Sequence, residues 1–143
     1  MGEDHGEGEI VLTPQIIIPV ILGPTASGKT EIAVKIAPKV NGEIVSADSR
    51  QVYKNLDIGT AKPTLEQRRI VKFHLVDFLS PEEIYSAGQF AEDASKVIKE
   101  ILNRKKLPMV VGGSGLYIHA LFSPVFKSPK PTREQREELN MLE

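Results

Sequence analysis

One hundred and forty-three residues with 41% hydrophobic content suffice for a single domain of ordinary size with a buried core. The absence of cysteine excludes disulfides, cysteine-ligated zinc and thiol catalysis, and His5, His74 and His119 are too scattered to give a metal-ligand spacing. Lys and Arg number 18 against 19 Asp and Glu, a net charge of −1, so the chain lacks the strongly basic footprint of a duplex-binding domain.

Glu3, Asp4, Glu7 and Glu9 precede any Lys or Arg, which makes residues 1–14 an acidic, flexible tail and leaves the remainder mildly basic. No apolar run approaches the ~18 residues of a membrane span, and the first residues do not run from basic to apolar as a targeting segment does. The expectation is therefore a cytoplasmic protein, with an organelle left open. Residues 16–22 form an apolar, β-branched run interrupted by Pro19, which predicts a buried parallel strand with an irregularity or edge at the proline. A helix is predicted over 30–40 from the spacing of Ile32, Ala33, Ile36, Ala37 and Val40, ending at Asn41-Gly42. Residues 43–47 read as a strand that delivers Asp48, and 73–78 as a strand or extended segment that delivers Asp77, with a polar loop and a short helix from Leu65 between them.

The next helix is signed by a capping box, Ser86 with Gln89, flanked by Tyr85 and Phe90 at the staple positions. Its inner face is Phe90, Ala94, Val97, Ile98, Ile101 and Leu102, while Lys99, Arg104, Lys105 and Lys106 read as a solvated charge run. A buried strand over 107–111 ends at Gly112-Gly113-Ser114-Gly115 and leads into a helix over 116–121. Residues 123–131 are proline-rich, and 132–143 begin another polar helix. Strands alternating with helices predict an α/β fold: a three-layer parallel sheet with helices on both faces. The expected division is a tail over 1–14, the α/β core over 15–125, and a linker with the start of a helical insertion over 126–143.

Chemistry enters between the first strand and the first helix, at Gly23-Pro24-Thr25-Ala26-Ser27-Gly28-Lys29-Thr30. The spacing G-x-x-x-x-G-K-T turns backbone N–H groups inward around an anion at a helix N-terminus, with Lys29 supplying charge and the Thr30 hydroxyl a ligand for Mg²⁺. This is the phosphate loop (P-loop) of NTPase-like folds. A hydrolysing NTPase usually pairs that loop with an apolar strand ending in Asp, whereas the strand over 107–111 ends in Gly-Gly-Ser. Asp48 instead closes the second strand, within Ser46-Ala47-Asp48-Ser49-Arg50-Gln51-Val52-Tyr53. A carboxylate, hydroxyls, an amide, a guanidinium and an aromatic ring suit a polar planar substrate: Gln51 can pair with a base edge, Tyr53 or Arg50 can stack, and Asp48 can accept a proton. A structural or metal-linked Asp48 and a core Tyr53 fit the same residues.

These blocks resemble the tRNA dimethylallyltransferases, also called tRNA isopentenyltransferases, over most of residues 18–122. The resemblance rests on the phosphate loop, the Asp48 block, Asp57-Ile-Gly-Thr-Ala-Lys-Pro63, His74-Leu-Val-Asp77, Tyr85-Ser-Ala-Gly88 and Val111-Gly-Gly-Ser-Gly-Leu-Tyr117, in the family's order. It implies that the loop grips dimethylallyl diphosphate and that the acceptor is N6 of an adenosine beside the tRNA anticodon. It further implies Asp48 as the base, Lys29 and Mg²⁺ held by Thr30 as charge partners of the departing diphosphate, and Ser49, Arg50, Gln51 and Ser114 as contacts to adenosine and tRNA. Phe73 and Ser114 depart from the family's commoner His and Thr without removing a catalytic group. Family members are considerably longer, so the chain is expected to be an incomplete core, monomeric, with most of the grip on the anticodon stem elsewhere. Prenylation of a free adenine nucleotide, an ATP-dependent small-molecule kinase and a non-catalytic diphosphate-binding module stand as alternatives.

Overall fold

Extended β-branched segments in this chain pair as four parallel strands: β1 (Val20–Leu22), β2 (Gly42–Ser46), β3 (Phe73–His74) and β4 (Leu107–Gly112), in the order β1-β4-β2-β3. The structure is a computed structural model and describes residues 16–24, 26–56 and 61–123. The acidic tail and the 126–143 segment lie outside the described residues. Helices α1 (Lys29–Ile36), α2 (Leu65–Ile70), α3 (Ala87–Asn103) and α4 (Gly115–Phe122) alternate with the strands, as the α/β reading requires.

Because successive side chains on a strand point to opposite faces, the sheet sorts its own core. Ile44, Met109 and Val111 pack with Ala33, Val34 and Ala37 beneath α1, while Val45, Ala47 and Val110 pack with Phe90, Ala94, Ile98 and Ile101 of α3 and Tyr117 and Leu121 of α4. Fully buried side chains such as Phe90 and Ile101 contribute about 1.5–3 kcal/mol each. The predicted capping box starts α3: Gln89 N donates to Ser86 Oγ at 3.1 Å and Ser86 N to Gln89 Oε1 at 2.9 Å. Thr64 and Gln67 start α2 in the same way. That T-x-x-Q pattern was legible in the sequence and marks the helix start more sharply than Leu65 does.

Four expectations are corrected. The strand expected over 16–22 is only Val20–Leu22, and among the described residues it pairs on one side alone, with β4, with Ile17 77% and Leu22 59% exposed. Pro19 has no N–H to donate; its carbonyl accepts from Val110 N at 2.9 Å, and the strand begins only after it. The helix expected over 30–40 is α1 followed by a 3₁₀ turn, Ala37–Val40, because Pro38 cannot donate and Asn41 adopts a left-handed φ of 54°. The 73–78 segment stays extended only at Phe73–His74; Leu75 (φ 64°) and Asp77 (φ 56°) turn it away before Leu79 bridges to Tyr53.

The charge run after α3 is not wholly solvated. Glu43 on β2, 2% exposed, takes a bidentate pair from Arg104, a 2.6 Å bond with His74 Nε2 and a Lys106 ammonium 3.7 Å away. Burial acts to raise the Glu43 carboxyl, but the Arg104 and His74 hydrogen bonds overcome it and hold the group down at about 2. Lys99 and Lys105 do face solvent, as read.

Candidate functional site

The carboxyl ends of β1, β2 and β4 converge, which in an open parallel sheet is where a ligand crevice forms. Gly23 N donates to Gly112 O at 3.3 Å, Ala47 N to Val111 O at 2.8 Å and Ser114 N back to Ala47 O at 3.1 Å. These three bonds tie the start of the phosphate loop, the Asp48 turn and the Gly112-Gly113-Ser114 turn into one rim.

Within the phosphate loop, Ala26 (φ 65°) and Gly28 (φ 83°) both take left-handed backbone, and Ser27 N closes on Pro24 O at 3.3 Å. Gly28 precedes α1 with no side-chain cap, so the helix start offers its N–H groups and positive dipole end to an anion. Lys29 Nζ lies 2.9 Å from Pro24 O, folded over the same loop. Thr25 lies outside the described residues.

Asp48 follows β2 and is held by its own turn: Oδ1 accepts from Arg50 N at 2.8 Å and from Gln51 N at 3.2 Å. No hydrogen bond among the described residues engages Oδ2. The carboxylate lines two cavities. One, of ≈570 Å³, opens between Ala26, Ser27, Gly28, Lys29 and Thr30 on one side and Gln51, Ala61, Lys62 and Gln67 on the other. The second, of ≈330 Å³, is lined by Pro24, Ser49, Arg50, Gly113 and Ser114. Tyr117 stands near enough for the Asp48 charge to register: burial first, then Tyr53 and Asp48, push its phenol upward and keep it neutral.

Most of the sequence-predicted site residues are thus brought together, with differences in detail. Gln51, expected to offer its amide to a base edge, is 8% exposed and turned inward: Oε1 accepts from Ser46 Oγ at 3.1 Å and Nε2 donates to Ala61 O at 3.0 Å. Ser114 has a second task, since its Oγ caps α4 by accepting from Tyr117 N at 3.4 Å. Tyr53 packs partly buried beside the α3 core, and its carbonyl oxygen accepts from Lys62 Nζ at 2.7 Å. The far wall is Ala61, Lys62 and Gln67, signalled in the sequence by the Ala61-Lys62-Pro63 part of a motif block and by the T-x-x-Q cap that ends in Gln67. Among the described residues no cluster of three or more His, Asp or Glu could hold a metal; the side-chain oxygens that line the phosphate-loop cavity and suit a hard cation are the Thr30 hydroxyl and the Glu31 and Asp48 carboxylates, to be completed by oxygens of a bound anion. No described helix is long and apolar enough to cross a membrane.

Residues 51–143 match the family described as IPP transferase. The chain is similar to a tRNA dimethylallyltransferase of Thermodesulfovibrio yellowstonii, 48% identical over 85% of this chain and 39% of the relative. It is also similar to one of Koribacter versatilis, 51% identical over 87% of this chain and 40% of the relative. Among solved structures, the full-length tRNA isopentenylpyrophosphate transferase of Bacillus halodurans superposes with a TM-score of 0.76 at 40% identity, over 90% of this chain and 43% of that one. A eukaryotic dimethylallyltransferase described as acting on tRNA superposes at 0.75 with 32% identity, over 90% of this chain and 33% of that one. The chain therefore spans about 40% of the length of the curated relatives it matches.

Proposed function

This chain belongs to the IPP transferase family, and from that premise we propose that it forms the diphosphate-binding core of an enzyme that transfers a dimethylallyl group to N6 of a tRNA adenosine beside the anticodon. The observation that carries the reading is the position of Asp48 on the boundary of two cavities, one floored by the phosphate loop and one by Ser49, Arg50 and Ser114. Two substrates and one proton acceptor need that layout.

The phosphate-loop cavity takes the diphosphate of dimethylallyl diphosphate, with loop N–H groups and the Lys29 ammonium, swung off Pro24 O, as its partners. The acceptor adenosine enters from the second cavity, against Ser49, Arg50 and Ser114, extruded from its stack so that N6 is reachable. As the allylic carbon–oxygen bond breaks, its electron pair leaves with the diphosphate and the N6–carbon bond forms. The N6 proton passes to Asp48, whose Oδ1 is fixed by Arg50 and Gln51 N–H groups so that Oδ2 can turn to the amine. Lys29 and the uncapped α1 N-terminus oppose the charge that grows on the leaving group. Mg²⁺, held through Thr30, would add Lewis-acid stabilisation of the same diphosphate. A monomeric cytoplasmic enzyme is in keeping with substrates of this kind.

The test is thermal melting with inorganic pyrophosphate, dimethylallyl diphosphate or ATP, each with and without Mg²⁺. The diphosphates are expected to raise Tm more than ATP, and to need Mg²⁺ for it. Preferential stabilisation by ATP, together with γ-phosphate transfer, overturns the reading in favour of a kinase.

A further inference from the structure

Asp77 lines neither cavity, yet it joins Lys62 and Arg68, behind the far wall of the phosphate-loop cavity, to Gln51. One carboxylate oxygen accepts from Lys62 Nζ and the other from Arg68 Nη2 at 2.7 Å, while Asp77 N donates to Gln51 O at 2.9 Å. Lys62, its side chain 7% exposed, also donates to Tyr53 O at 2.7 Å, and Arg68 Nε donates to Pro63 O at 3.2 Å. The 61–68 segment is thereby pinned from two sides to the loop that carries Asp48.

The next link leads to the reacting group. Ala61 O receives Gln51 Nε2, Gln51 Oε1 receives Ser46 Oγ, and Gln51 N donates to Asp48 Oδ1. Gln51 is thus held at its carbonyl by Asp77 and at its amide by the segment that Asp77 clamps. Burial acts to raise the Asp77 carboxyl, but hydrogen bonds from Lys62 and Arg68 outweigh it and hold the group below its ordinary range, so the clamp keeps its charge at neutral pH. The left-handed backbone at Asp77 (φ 56°) is a conformation that Asp tolerates better than most residues and that aims N–H and carboxylate at different partners.

We propose that Asp77 is a positioning residue for the transfer reaction: through Lys62 and Gln51 it fixes the Asp48 turn, and through Lys62 and Arg68 the wall that faces the phosphate loop. The proposal deepens the function proposed above and rests on Asp48 being the base. It separates from a purely structural role because the phosphate loop is anchored elsewhere, on Gly112 and its own turn.

Two measurements test it. In the full-length enzyme that carries this chain, Asp77→Asn is expected to lower kcat roughly 10- to 100-fold, because small displacements of a base are costly, with KM for dimethylallyl diphosphate changed less than about twofold. In the 143-residue chain, hydrogen exchange at the Arg50 and Gln51 amides, measured relative to buried Val110, is expected to quicken roughly tenfold. Glu43→Gln, which breaks the ion cluster at the opposite end of β2, should lower Tm without changing that exchange ratio. An unchanged exchange ratio and an unchanged kcat in Asp77→Asn overturn the proposal. If Asp77→Asn does not fold, Arg68→Gln removes only the partly exposed donor and must shift the same ratio in the same direction; no shift there also overturns it. If the wild-type full-length enzyme transfers no dimethylallyl group, the proposed function fails, and the exchange ratio still decides whether Asp77 holds the Asp48 turn.

Discussion

Gly112 and Ala47 approach so closely that a Cβ placed on Gly112 would stand 2.1 Å from the Ala47 carbonyl oxygen. The contact sits where β4 ends and the Asp48 turn begins, and the same Gly112 carbonyl receives the first N–H of the phosphate loop. An atom on that side would wedge the base away from the diphosphate cradle, and backbone on both sides leaves nothing flexible to move. Gly112→Ala is expected to destabilise the fold by about 3 kcal/mol or more and to abolish stabilisation by pyrophosphate in whatever fraction stays folded. Calorimetry with and without pyrophosphate checks both effects.

Among the described residues Lys29 hydrogen-bonds one loop carbonyl, Pro24 O, and it belongs to neither core cluster. Lys29→Ala should therefore cost the unliganded fold less than about 1 kcal/mol while removing the stabilisation that pyrophosphate confers, about 2.7 kcal/mol at a hundredfold excess over Kd. A variant that unfolds outright would make Lys29 a structural residue.

At Asp48 the expectation is the reverse, chemistry lost and binding kept. Asparagine preserves an Oδ1 for the Arg50 and Gln51 amides, so the turn survives. In the full-length enzyme Asp48→Asn should lower kcat by roughly 10²- to 10⁴-fold with diphosphate affinity little changed. Single-turnover transfer together with pyrophosphate titration separates the two, and an unchanged rate removes Asp48 from the base role.

Glu43 makes the fold acid-sensitive in a defined window. Its carboxyl lies at about 2 in the folded chain against 4.5 for the ordinary group, because the Arg104 and His74 hydrogen bonds overcome the opposing effect of burial. A depressed carboxyl contributes stability that is fully present above pH 4.5 and is lost as pH falls toward 2, here of order 3 kcal/mol. Denaturant midpoints measured across that window should fall steeply for the wild type. Glu43→Gln should begin lower and vary less, since the group that titrates is gone.

By itself the sequence determined the phosphate loop, the capping box that starts α3, the alternation of strands and helices, and Asp48 at the end of β2. Each of these rests on contacts within a few residues: a left-handed glycine before a helix, a Ser86 hydroxyl three residues from Gln89, a strand period of two. The tertiary structure alone decided the rest. That β1 pairs with β4, Val20 beside Val110, is a property of the sheet that an apolar run cannot report. Arg104 read as solvated because its partner, Glu43, is 61 residues away on another element. Gln51 read as a base-reading amide, yet Ser46 and Ala61 claim both ends of it, and Lys62, Arg68 and Asp77 became one clamp only when β3 laid its end beside the Asp48 loop. Charges and amides are promiscuous in their pairing, so their partners are chosen by the packing that brings distant segments together, whereas caps and glycine turns carry their partners with them in the chain.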